Sequence, residues 1–185
     1  MLYHDSNLHW CPDSIIQETV KSMQTDQRHP IKEIKVEKFY TPRLEDVLPA
    51  VMQNNHSNAI VVIAVMTNNA KGKQPVLQSQ SILSKVLNIL KPQTPLENLI
   101  VLESPPSLNF DIFPYNYAMY QICKSSGICF APNLLRPSDI KPDGLHILPR
   151  SKHLMVKSIS AAIKKLDPHK YFRISPTYRK PAWAE

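Results

Sequence analysis

Polar and apolar positions along this chain fall into two repeating kinds of segment. Ala59-Ile-Val-Val-Ile-Ala-Val-Met66 is eight apolar residues without alternation, rich in β-branched types, and it ends in polar Thr67-Asn68-Asn69. Such a run is expected of a strand covered on both faces of a parallel sheet. Leu99–Leu102 and Ile128–Phe130 are shorter versions of it, and Ile34 and Val36 alternate with Lys35 and Glu37 as they would nearer a sheet edge. Met1-Leu2-Tyr3 reads as the stump of one more strand, which predicts that the chain is a piece of a larger protein. Between these runs the spacing becomes helical. Leu44, Val47, Leu48, Val51 and Met52 share one face, as do Leu83, Val86, Leu87 and Leu90. Tyr115, Ala118, Met119 and Ile122 form a third face, and Met155, Ile159, Ala162, Ile163 and Leu166 a fourth. Ile15, Ile16, Val20 and Met23 make a weaker first helix, with Pro12 near its start. Strand and helix alternate five times. The economical architecture is a three-layer α/β/α sandwich around a parallel sheet of about five strands.

Composition narrows the picture. A chain of 185 residues suits one domain, predicted over residues 1–166, followed by a tail over residues 167–185. No apolar run reaches the roughly 20 residues a membrane-crossing helix needs, and no basic-then-apolar leader opens the chain. Three cysteines without C-x-x-C spacing argue against a disulfide framework or a zinc site and favour a reducing compartment. Three Gly beside 17 Pro rule out a glycine-rich phosphate loop. The net charge of +7 sits entirely in residues 150–185, where nine Lys or Arg face two acids.

In an open parallel sheet, ligands bind beyond the carboxyl ends of the strands. The polar residues that follow the strands are therefore the candidates for chemistry. They are Asp5 and Ser6 after the first strand, Thr41 after the second, Thr67, Asn68 and Asn69 after the third, and Asp143 and His146 after the fifth. Nucleophilic acyl transfer needs such a set: a hydroxyl, an imidazole base, a carboxylate to orient the base, and donors for an oxyanion.

These residues resemble the blocks of the SGNH (GDSL-type) hydrolases, a flavodoxin-like fold family. His4-Asp5-Ser6-Asn7 stands where that family has Gly-Asp-Ser, and Met66-Thr67-Asn68-Asn69 where it has Gly-x-Asn-Asp. Asp143-Gly144-Leu145-His146, followed by Pro149 and a helix, matches its Asp-x-x-His, and Thr41 falls at its second-block glycine. The resemblance implies Ser6 as nucleophile, His146 as general base and Asp143 as the residue orienting it. It implies an oxyanion held by the backbone N–H groups of Ser6 and Thr41 and by the Asn68 amide, with no metal or organic cofactor. Three family glycines are replaced by His4, Thr41 and Met66, and an aspartate by Asn69, which puts the shape of the oxyanion hole in question. The Gly-poor, Pro-rich body and the His-Asp-Ser-Asn block further resemble the esterase domain in the first open-reading-frame protein of LINE-type retrotransposons. That resemblance implies an RNA-associated, cytoplasmic setting. The expected function is a serine esterase acting on short, acetyl-like carboxylic esters. The alternative is a catalytically silent, RNA-binding SGNH-like module of the Oskar type.

Simpler roles stand beside these. A serine after a strand is most often a helix cap. The remaining histidines read as surface or structural, and Cys123 and Cys129 as inert thiols. Ser104-Pro105-Pro106 reads as a rigid exit from the fourth strand, with a cis bond as one option. In the tail, Lys170, Arg173, Arg179 and Lys180 interleave with Tyr171, Phe172, Tyr178 and Trp183. The simpler role is packing of these aromatics on their own domain or on a second copy of the chain, with the charges solvated; the other expected partners are an anionic membrane surface, which is favoured, and RNA. The membrane surface implies peripheral attachment.

Overall fold

The structure, a computed structural model, describes residues 1–9, 11–22, 35–57 and 59–165. Its strands are short and lie where the apolar runs put them: β1 (Leu2–His4), β2 (Lys38–Tyr40), β3 (Val61–Ala64), β4 (Leu99–Leu102) and β5 (Cys129–Ala131). All pair in parallel, in the order β2-β1-β3-β4-β5. The chain steps to one side of β1 and then to the other, so the sheet has its topological switch point at β1, between β2 and β3.

Helices cover both faces. They are α1 (Ser6–His9), α2 (Asp13–Ser22), α3 (Leu44–Gln53), α4 (Thr67–Lys71), α5 (Val76–Leu90), α6 (Phe113–Ser126) and α7 (Lys152–Lys165). The pleat sorts the strand residues into two cores. Tyr3, Val61, Ile63, Leu99 and Val101 face α3, α5 and α6, meeting Val47, Val51, Leu83, Leu87 and Met119. Leu2, Val62, Ala64, Ile100 and Leu102 face the other way, meeting Ile16, Met155, Val156 and Ile159 of α2 and α7. The unbroken apolar runs are explained by this two-sided burial, since each large side chain removed from water contributes roughly 1.5–3 kcal/mol. The three-layer α/β/α sandwich with five parallel strands is the observed architecture.

Two details differ from the sequence expectation. The second strand lies at Lys38–Tyr40, beyond the alternating pair, and Ile34 falls outside the described residues. A polar residue can open this edge strand because the Lys38 ammonium donates to the Cys11 carbonyl at 2.7 Å and pairs with Asp13 at 2.7 Å. Met52, placed on the buried face of its helix by spacing, is 69% exposed because α3 ends one residue later. Every peptide bond among the described residues is trans, those at Pro105 and Pro106 included. Leu166 and the tail at 167–185, with its basic and aromatic side chains, lie outside the described residues.

Candidate active site

β1 delivers the first block to the centre of the rim. His4 pairs in register with Tyr40 of β2 on one side and Ala64 of β3 on the other, so the segments after all three strands emerge together. Asp5 follows as a buried residue whose Oδ1 accepts the Asn7 N–H at 2.9 Å, an Asx turn that starts α1 at Ser6. Burial pushes the Asp5 carboxyl above its ordinary value, while the Asn7 N–H, Thr67 and the His146 imidazole favour its charged form. His146 thus lies within electrostatic reach of the residue next to Ser6. Ser6 itself is half-buried, and neither its hydroxyl nor its backbone N–H has a hydrogen-bond partner among the described residues.

The third block is short and heavily bonded. Asn68 donates one amide hydrogen to the Pro42 carbonyl at 2.7 Å, which orients the amide and leaves a second hydrogen free. Asn69 is buried and serves as a rivet between α4 and α3. Its Oδ1 accepts the Leu44 N–H at 2.9 Å, and its Nδ2 donates to Glu45 at 2.6 Å and to the Gln74 side chain. An aspartate at this position would set a second carboxylate against Glu45 and lose both donors. The departure from the family pattern is therefore matched by its neighbours.

Thr41 is buried on the same rim, but its expected role as an N–H donor to the oxyanion is corrected by the register. Its backbone N–H donates to the His4 carbonyl at 2.9 Å, extending the β1–β2 ladder. A donor spent inside the sheet cannot also meet a developing charge above it.

Asp143 and His146 come together. The Asp143 Oδ2 accepts from His146 Nδ1 at 2.9 Å, and its Oδ1 accepts the backbone N–H groups of Leu145 and His146, each at 2.9 Å. The His146 and Leu145 N–H groups, then the imidazole, hold the Asp143 carboxyl far below the usual carboxylate range. It stays ionised, so the imidazole proton is held on Nδ1 and Nε2 is left as the acceptor. The loop carrying the pair is closed below by the Ile140–Ile147 bridge, with both side chains in the α7-facing core.

A second loop braces it. Ser107 Oγ and the Leu108 N–H both donate to the Gly144 carbonyl, at 2.8 and 3.0 Å, and Asn109 Nδ2 donates to the Asp143 carbonyl at 2.6 Å. Gly144 has a φ of +72°, and a Cβ built on it would lie 2.4 Å from the Asn109 side chain. Glycine is required there by conformation and by space. Between the two loops lies a cavity of about 230 Å³ lined by Lys71, Asn109, Phe110, Asp143, Leu145 and His146. Lys71, Asn109 and Phe110 were not among the sequence candidates. Asn109 and Phe110 follow β4, the one interior strand whose following segment yields no residue of the acyl-transfer set, and that position on the rim was their signal. No group of three or more potential metal-ligating side chains occurs among the described residues.

No protein-family model matches the sequence, and no curated protein matches it. Solved structures do match in fold. TesA superposes with a TM-score of 0.65 at 14% identity, covering 89% of this chain and 97% of its own. An acetyl esterase mutant with an acetate ion gives 0.65 at 16% identity, over 90% and 96%. The psychrotrophic esterase EstA from Pseudoalteromonas sp., inhibited by monoethylphosphonate, gives 0.61 at 13% identity, over 89% and 96%. The esterase domain of the zebrafish ZfL2-1 ORF1 protein aligns at 21% identity, but its TM-score of 0.39 is too low to support an argument. With its five parallel strands, its β1 switch point and these structural neighbours, the chain has the fold of the SGNH (GDSL-type) hydrolases.

Proposed function

We propose that the protein is a serine esterase acting on small carboxylic esters, with acetyl and other short acyl groups as its substrates. The observation that carries this reading is the Asp143–His146 pair at 2.9 Å on the rim that also bears Ser6 without a partner. In the reaction, Ser6 Oγ attacks the ester carbonyl carbon while His146 Nε2 takes its proton. Asp143 stabilises the imidazolium through Nδ1–H. The negative charge moves onto the carbonyl oxygen, where the Ser6 N–H and the second Asn68 amide hydrogen receive it. Collapse returns the proton from His146 to the leaving alcohol and leaves an acyl-Ser6. Water, deprotonated by His146, then releases the acid. A donor set of two in place of three accommodates the loss of Thr41.

A silent binding module has no comparable support, since it gives no reason for a carboxylate to orient the His146 imidazole on the rim that also bears an unencumbered serine. The test is turnover of a short-chain chromogenic ester by the wild type and by Ser6→Ala. Loss of the nucleophile should lower the rate by about 10⁴-fold or more. Equal turnover by both proteins would end the proposal.

A further inference from the structure

The cavity beside His146 has a composition that the esterase reading does not use. Lys71 ends α4 three residues after Asn68, and its side chain lines the same space as the imidazole. It is exposed, and it makes no ion pair or hydrogen bond with any described residue. The one carboxylate in the lining, Asp143, has its oxygens committed to the His146 imidazole and to two backbone N–H groups. The remaining lining is the Phe110 ring, the Leu145 side chain and the Asn109 amide, one hydrogen of which goes to the Asp143 carbonyl. One unpaired ammonium therefore faces a small space with an apolar wall and a reactive edge.

Resting on the esterase reading, we propose that the natural ester carries an anionic group, a carboxylate or a phosphate, which pairs with Lys71 while the scissile carbonyl lies over Ser6. Lys71 is thereby a specificity-determining residue. Its charge selects among esters, and its place three residues after Asn68 in α4 puts it on the same short helix as the oxyanion donor.

The experiment compares three acetate esters of para-substituted phenols: 4-carboxyphenyl, 4-phosphonophenyl and the neutral 4-(methoxycarbonyl)phenyl acetate. Each is assayed with the wild type, Lys71→Ala and Lys71→Glu, and the readout is the ratio of kcat/KM for an anionic over the neutral ester. That ratio should fall about tenfold in Lys71→Ala and further in Lys71→Glu, with added salt narrowing the gap. Whichever anionic ester shows the larger fall identifies the class of anion. Ratios that are the same in all three proteins would overturn the role of Lys71 while leaving the esterase reading intact. If no ester is turned over, the esterase reading fails, and binding decides the rest. Chemical-shift changes caused by 4-hydroxybenzoate should exceed those of its methyl ester and weaken in Lys71→Ala, and equal binding by wild type and variant would overturn the proposal.

Discussion

Gly144 is the position where a single methyl group should do the most damage. In Gly144→Ala the backbone must hold φ near +72°, which costs an L-residue roughly 1–2 kcal/mol. The new Cβ would also stand 2.4 Å from Asn109 Cγ and Nδ2 and 2.5 Å from Oδ1, well inside contact distance. Relief requires the Asn109 side chain to swing away, which breaks its 2.6 Å bond to the Asp143 carbonyl and costs about 1 kcal/mol more. The sum is about 2–3 kcal/mol, or a fall in Tm of roughly 5–10 °C for a domain of this size. If the Asp143–His146 loop yields instead of Asn109, stability suffers less and activity more, since a 1 Å shift of a reacting group can cost about 100-fold. A double-mutant cycle with Asn109→Ala separates the contributions. Removing the Asn109 amide should abolish the clash, so that Gly144→Ala in that background loses only the backbone part. Thermal unfolding and ester turnover are measured on all four proteins. An identical cost in both backgrounds would refute the clash, and a Gly144→Ala protein with wild-type stability and turnover would refute the whole argument.

Asn68→Ala should lower kcat by about 10²–10³ with little change in KM, because its free amide hydrogen meets a charge that exists only in the transition state; a change confined to KM would make Asn68 a substrate clamp. Glu103, beyond β4, has its carboxyl pushed up by burial, against the pull of the Asn133 N–H at 3.1 Å. The folded protein therefore holds that proton longer than the unfolded chain, and stability declines as pH rises from the unfolded value through the folded one. Glu103→Gln keeps an acceptor for Asn133 and removes this penalty. Its Tm should exceed that of wild type at neutral pH, with the gain vanishing near about pH 4; a lower Tm at neutral pH would contradict the burial cost.

The parts of this protein that could be read from sequence are those where one local pattern has one physical cause. Ala59–Met66 is apolar without alternation because β3 lies between two helical layers. Asp143 and His146 are three residues apart in one loop, so the spacing alone brings them within reach of each other. The second strand was misplaced because hydrophobicity is a poor guide at an edge. Lys38 opens the strand and Tyr40 is 51% exposed, while the alternation of Ile34 and Val36 ends before it. Thr41 lies on the rim, but its N–H is bonded to the His4 carbonyl; likeness to a family assigns a residue to a position without saying where its N–H points. Lys71, Asn109 and Phe110 reach His146 only after two loops have folded across the rim, and no spacing along the chain encodes that meeting.

The braces around the site share a property that bears on how such a protein can change over time. Asn68 is held by the carbonyl of Pro42, Asn69 holds the N–H of Leu44, and Asn109 holds the carbonyl of Asp143. In each case a side chain grips a main-chain atom, and main-chain atoms are present whatever residue occupies the gripped position, save that a proline at position 44 would lack the N–H. Half of each of these bonds is thus largely insensitive to mutation. Substitutions can accumulate along the gripped segments without loosening the geometry, so long as the backbone path persists and three asparagines stay in place. Accordingly the chain superposes over about nine-tenths of its length on proteins of the same fold that share only 13–16% of its residues: a backbone path held in this way asks little of the residues it passes through.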